Sequence, residues 1–184
     1  MPRFTLPVMA TTYLLVFLAL AGLAWGASSA VTVNLAPLHG VARANATYNG
    51  YFPSLAIDGD WGTYWNGGDQ GSPGNPLWLQ VDLQKNYMVD RIILVDPHGT
   101  GIPTHVYNLY TSADGVNWNL VNSGTFPDDQ GYVHTIPLAT NKVIQYAKYE
   151  VVGGGDWASF SEMEIWGDPI PFPRPVPLSI LLLD

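Results

Sequence analysis

The segment LWLQVDL, residues 77–83, constrains the fold more than any other stretch of this chain. In an extended strand successive side chains point to opposite sides. Leu77, Leu79, Val81 and Leu83 therefore share one face, and Gln80 and Asp82 share the other. Shorter runs of similar character follow: VDRIILV, HVYNLYTS, WNLVNSG, YVHTIPL, VIQYAKYEVV and FSEMEIW. Turn residues separate them, and ADG at 113–115 supplies a glycine for the positive φ of a tight turn. Helical periodicity of useful length is missing after residue 30. Several strands in succession without intervening helices predict an all-β antiparallel sandwich. Residues 34–76 and 96–104 form the longest irregular stretches, and loops of that size in a compact domain usually carry function.

A leader precedes the strands. Arg3 comes before the apolar run YLLVFLALAGLAW (13–25), and small residues follow in GASSA (26–30). This pattern reads as a secretory signal peptide over residues 1–30; the run is short for a bilayer core of about 30 Å. The expected localisation is secreted, extracellular or at the cell surface. At the other end, residues 168–184 (DPIPFPRPVPLSILLLD) place proline too often for a sheet ladder, so a Pro-rich tail or linker is expected there. Residues 34–167 remain as one domain.

Export gives the cysteine count a meaning. With no cysteine, no disulfide can staple the domain, so a packed core or a metal must hold it. Seven Lys/Arg, one of them in the leader, stand against fifteen Asp/Glu. That balance argues against nucleic acid and against anionic membrane lipid. His39, His98, His105 and His134 show no metal-binding spacing. No Ser-His-Asp grouping, nucleophile elbow or phosphate loop appears, so the chain does not read as an enzyme.

Five motifs stand in order along the domain: NLA (34–36), AIDGDWGTYW (56–65), PLWLQVDLQK (76–85), YTSADGVNW (110–118) and WASFSEMEIWG (157–167). In that order they resemble the discoidin domain, also called the coagulation factor V/VIII C-type domain. Its large bacterial branch comprises the family 32 carbohydrate-binding modules. The resemblance covers residues 34–167. It implies an eight-stranded jelly-roll β-sandwich of the galactose-binding-domain type, acting as a non-catalytic binding module.

DGDWGT (58–63) then acquires a chemical reading. Ca²⁺ takes six to eight oxygens and accepts carbonyls beside carboxylates. Asp58, Asp60 and Thr63 are spaced so that a tight loop can wrap one ion. An Asp-Gly pair alone is an ordinary turn, and two carboxylates so close in sequence cannot flank a scissile bond. The resemblance implies a structural calcium held by the Asp58 carboxylate, the Thr63 hydroxyl and carbonyl, and the carbonyls of Leu55 and Asp60. Glu162 would add a carboxylate and Ser161 a carbonyl, tying the two ends of the domain together.

A sugar site needs an aromatic face and a few polar side chains. The resemblance places it in loops beside the metal loop, with an aromatic just before the last strand. Trp157, in GGGDWASF, is the first candidate and Trp61 the second. Asp96, His98 and His105 are candidate polar partners from DPHGTGIPTH (96–105). Asn66, Asp69 and Gln70 are candidates from NGGDQGSPGN (66–75). Tyr48 and Tyr51 could line the same rim. No arginine falls where galactose binders of the family commonly place one. Trp65, Trp78 and Trp118 are expected in the core. The expected partner is a glycan or glycoconjugate. The alternative is a cell-surface adhesion protein that uses the same loops for a protein partner, with membrane lipid less favoured because basic residues are few.

Overall fold

The computed structural model describes residues 31–95, 105–126, 133–154 and 157–171. Its elements are β1 (Val33–Asn34), α1 (Ala36–His39), β2 (Val41–Ala44), a 3-10 turn (Pro53–Ala56), β3 (Trp65–Asn66), β4 (Leu77–Val95), β5 (His105–Ser112), β6 (Asn119–Phe126), β7 (Val133–Gly154), β8 (Ser159–Phe160) and β9 (Glu162–Pro171). The architecture is a mostly antiparallel β-sandwich, as the alternating segments predict.

Two long strands build it. LWLQVDL and VDRIILV are one strand, β4, and VHTIPL (133–138) and VIQYAKYEVV are one strand, β7. They pair with each other along both halves, from Leu77↔Val151 to Asp82↔Tyr146 and again from Tyr87↔Ile144 to Val95↔Val133. Pairing lapses between Asp82 and Tyr87, where Gln84 turns to φ 68 and its N–H is caught by Asp82 Oδ1 at 2.7 Å. At this corner β4 passes from one layer to the other. The first half of β4 pairs with β2, and its second half pairs with β9. β5 and β6 extend the first layer, while β1 closes the edge of the second.

The inward faces form one core. Leu77, Leu79, Val81, Leu83, Tyr87 and Val89 are buried at odd positions, and then Ile92 and Leu94 at even ones. A bulge between Val89 and Arg91 flips the phase. Trp65 is fully buried, meets Phe160 edge-on at 5.7 Å and donates its indole N–H to Ala46 O at 3.1 Å. The other two tryptophans expected in the core are not there. Trp78 is only half-buried, because alternation with Leu77 and Leu79 turns it to the outer face. Trp118 is also half-buried, with the Lys148 ammonium 4.6 Å above its ring.

The domain also runs past Gly167. β9 continues to Pro171, which pairs with Tyr87, so four residues assigned to the tail belong to the sheet. Proline is tolerated because Ile170 N–H, between Pro169 and Pro171, bonds to Asp168 Oδ1 at 2.9 Å rather than to a neighbouring strand. The leader (1–30), Asp96 and His98, and residues 172–184 lie outside the described residues.

Candidate functional site

The register gathers several strand ends at one pole of the sandwich. Val95 faces both Val133 and Glu162, and His105 faces both Gly154 and Phe126. The short β3–β8 ladder, Trp65↔Phe160 and Asn66↔Ser159, crosses this pole and joins the early loops to the last strand. An open depression of about 500 Å³ at the opposite pole is lined by Leu38, His39, Lys85, Tyr87 and Pro171 among others. It shares no residue with the candidate site.

In the loop after the 3-10 turn, four oxygens converge on the Thr63 hydroxyl. Its hydroxyl lies 3.2 Å from Leu55 O, 3.1 and 2.9 Å from the two Asp58 carboxylate oxygens, and 3.0 Å from Asp60 O. A hydroxyl has one proton to donate, so it can satisfy only one of these acceptors. Asp60 O also accepts the Thr63 N–H at 3.1 Å, so the single hydroxyl proton is shared between the Asp58 carboxylate and Leu55 O in a pocket rich in acceptors. Asp58 Oδ1 also accepts the Asp60 N–H at 2.9 Å. The Asp60 carboxylate instead turns to the Gly62 N–H at 2.8 Å, leaving its carbonyl pointed toward Thr63.

Glu162 closes this cluster from β9. It is fully buried, and its Oε1 accepts the Gly59 N–H at 2.9 Å. Its Oε2 is buried without a partner. Burial, followed by the nearby Asp58 carboxyl and the charge of Glu164, pushes this carboxyl up to about 8; the Gly59 N–H opposes the shift. Ser161 is buried next to it, with Oγ unpartnered. No group of three or more His, Asp or Glu side chains converges among the described residues. Two carboxylates, one hydroxyl and main-chain carbonyls do converge, which is a donor set for a hard cation.

Beside this loop lies an aromatic rim. Trp157 is 43% exposed and Tyr48 45% exposed, with ring centroids 5.1 Å apart and planes inclined by 36°. Tyr51 continues the series at 6.0 Å from Tyr48, and Tyr64 lies 4.6 Å from Tyr51. Burial and a hydrogen bond with Tyr51 push the Tyr64 phenol up to about 12. Loop backbones lock the rim: Gly67 N–H donates to Ala158 O, and Ala158 N–H donates to Asp69 O, both at 2.8 Å.

Three candidates from the sequence have other roles. His105 is buried beneath the rim, and its Nε2–H donates to Trp157 O at 2.6 Å. It positions the Trp157 loop and cannot reach a surface ligand. Its Nδ1 has no partner, and burial, partly offset by that bond, lowers its pKa below 6.5. Asn66 is also buried, its Oδ1 accepting the Gly68 N–H at 2.7 Å, so it shapes a turn. Trp61 is 40% exposed but tethered, its indole N–H donating to Glu164 Oε1 at 3.2 Å. Glu164, which sequence reasoning missed, also accepts the Trp166 indole N–H at 2.7 Å. Its position two residues after Glu162, on the outward phase of the strand, was the available signal.

The sequence profile of the F5/8 type C domain matches residues 41–163, more than half of the chain, including both the Thr63 loop and Glu162. The chain belongs to the F5/8 type C domain family. No protein of curated function matches it. Among solved structures, this F5/8 type C domain is similar to the family 32 carbohydrate-binding module of Clostridium perfringens NanJ, solved with galactose. That match has 25% identity and a TM-score of 0.64, covering 74% of this chain and 99% of the module. It is also similar to a family 32 module from the same organism solved with GalNAc-β-1,3-galactose, at 21% identity and TM-score 0.62, covering 72% and 99% of the two chains. A third similar structure is chitosan-binding module 1 from a chitosanase/glucanase of Paenibacillus sp. IK-5, at 24% identity and TM-score 0.60, covering 73% and 99%. These neighbours are non-catalytic modules, some of them parts of glycoside hydrolases.

Proposed function

We propose that this F5/8 type C domain is a secreted, non-catalytic glycan-binding module stiffened by a structural calcium ion. The observation that carries the glycan reading is the exposed Trp157–Tyr48 pair, seated on a backbone network at the loop pole. Exposed aromatic faces stack on the apolar face of a pyranose, and water-facing rims of this kind bind sugars weakly and reversibly. His105 sets the height of Trp157 through its bond to that residue's carbonyl. The likeness to a galactose-bound module over almost its whole length supports the same reading.

Calcium would be held by Asp58, Thr63, Glu162 and the carbonyls of Leu55, Asp60 and Ser161. The acceptors that share the one Thr63 hydroxyl proton and the orphaned Glu162 Oε2 support a cation there. When bound, the ion would supply the positive charge that two adjoining carboxylates need in order to ionise together. The role is structural, since these oxygens belong to the loop beneath the rim. The apolar run of the leader supports export. Screening the chain on a broad glycan array, with Trp157→Ala alongside, tests the function: signals that vanish in the variant support it, and a blank array overturns it.

A further inference from the structure

We propose that the β6 edge is a dimer surface whose partner is a second copy of this chain, paired strand to strand. β6 ends the first layer, and among the described residues no strand pairs with its outer side. An unpaired edge offers a row of main-chain donors and acceptors, and soluble domains guard such edges by shortness, charge or proline. The other edges of the two layers are guarded. β1 has two residues, and β2 has four and exposes Arg43. The half of β7 that pairs only with β4 carries Pro137 and Lys142. β6 has eight residues, NLVNSGTF, with neither a charge nor a proline.

The sequence of β6 suits pairing with itself. Its register slips once against β5, at Val121, and Asn122–Phe126 then runs without interruption. Antiparallel pairing about Gly124 sets Ser123 opposite Thr125 of the second copy, and Thr125 opposite its Ser123. Both side chains are exposed, and facing hydroxyls of this kind stabilise a strand pair. An added Cβ on Gly124 would meet no atom within 4 Å, so the centre of the pair is open. A chain of net charge −8 repels its own copies, and an uncharged edge is where two of them can approach. A two-fold axis makes the contact self-complementary and closes it at the dimer.

The register also orients the copies. β6 runs toward the loop pole, because its last residue, Phe126, pairs with His105. In an antiparallel pair the second copy's loop pole lies at the far end. On the reading of the rim as a glycan site, the dimer presents two sites facing opposite ways and bridges two glycan-bearing surfaces.

Sedimentation equilibrium of the full chain tests this, with Gly124→Lys and Val116→Lys as variants. Gly124→Lys sets two ammonium groups against each other at the centre of the pair, and like charges directly opposite destabilise paired strands. Val116 is 78% exposed and lies outside β6, so Val116→Lys adds the same charge away from the edge. Wild type and Val116→Lys should form dimers, and Gly124→Lys should associate at least about tenfold more weakly. Amide hydrogen exchange gives a second reading without mutation: protection over Asn122–Phe126 should rise with protein concentration. A wild type that stays monomeric, a Gly124→Lys that dimerises like wild type, or protection that ignores concentration would overturn the proposal. Dimers that bind glycan-coated beads without clumping them would overturn the opposed arrangement. Dimers that bind no glycan would overturn the rim reading alone.

Discussion

Gly59 donates its backbone N–H to Glu162 Oε1 at 2.9 Å, joining two residues 103 positions apart in a chain without cysteine. The bond fixes the acidic loop to the first residue of the last strand. It uses one oxygen of a buried carboxyl and leaves the other, Oε2, without a partner. Burying an acidic group in this way costs stability unless a partner or a cation compensates it.

Removal of calcium should therefore lower the melting temperature. At a calcium concentration a hundredfold above Kd, stabilisation amounts to about 2.7 kcal/mol, or roughly 5–10 °C for a domain of this size. Glu162→Gln retains the acceptor for Gly59 but cannot ionise. It should melt like the chelated wild type and ignore added calcium. Differential scanning calorimetry with and without chelator reads both effects. Identical wild-type curves would refute the metal assignment.

Trp65 and Trp78 should respond differently to truncation. Trp65→Ala empties a fully buried site and should cost about 3–5 kcal/mol. Trp78→Ala, on the outer face, should cost roughly 1 kcal/mol. Urea unfolding of the two variants measures the contrast.

Gly71 and Gly74 occupy one loop and should part company as well. Gly71 has φ +62, and a Cβ there would run into the Val151 carbonyl oxygen. Gly74 has nothing within 4 Å of an added Cβ. Gly71→Ala should destabilise by roughly 1–3 kcal/mol, and Gly74→Ala should stay within about 0.5 kcal/mol of wild type.

Acid should loosen the rim from beneath. Burial lowers the pKa of His105, and also that of His134, below the ordinary 6.5. The unfolded chain then takes up the proton first, so stability is full above pH 6.5 and falls as pH drops through the folded values. His105→Gln removes part of this dependence. Melting temperature followed across that range should show a shallower acid decline in the variant.

The alternation in LWLQVDL placed Leu77 to Leu83 correctly in the core, and the same alternation argued against a buried Trp78, although tryptophan's bulk suggested otherwise. The fusion of two segments into β4 was hidden, because QKNYM looks like a loop and only the resumed pairing of Tyr87 and Met88 with β7, and of Tyr87 with β9, joins the two halves. The bulge after Val89 was hidden for the same reason: a phase change is set by partners, not by the strand itself. The meeting of Asp58 with Glu162 was legible, since both lie in motifs whose family spacing is characteristic. The burial of His105 and Asn66 was not, because a polar side chain on the terminal residue of a strand reads like one in the loop. Trp157 was singled out by its three preceding glycines, whereas its pairing with Tyr48 depends on a fold that brings positions more than a hundred residues apart together.

The most direct test of the central claim is calorimetric titration of the wild type, Trp157→Ala and Tyr48→Ala with the glycans selected by the array, each variant first checked for an unchanged melting curve. Both side chains are exposed, so neither variant should unfold. The account predicts weak, saturable binding by the wild type and at least a tenfold loss in each variant, about 1.4 kcal/mol. Wild-type affinity in a folded Trp157→Ala would contradict it.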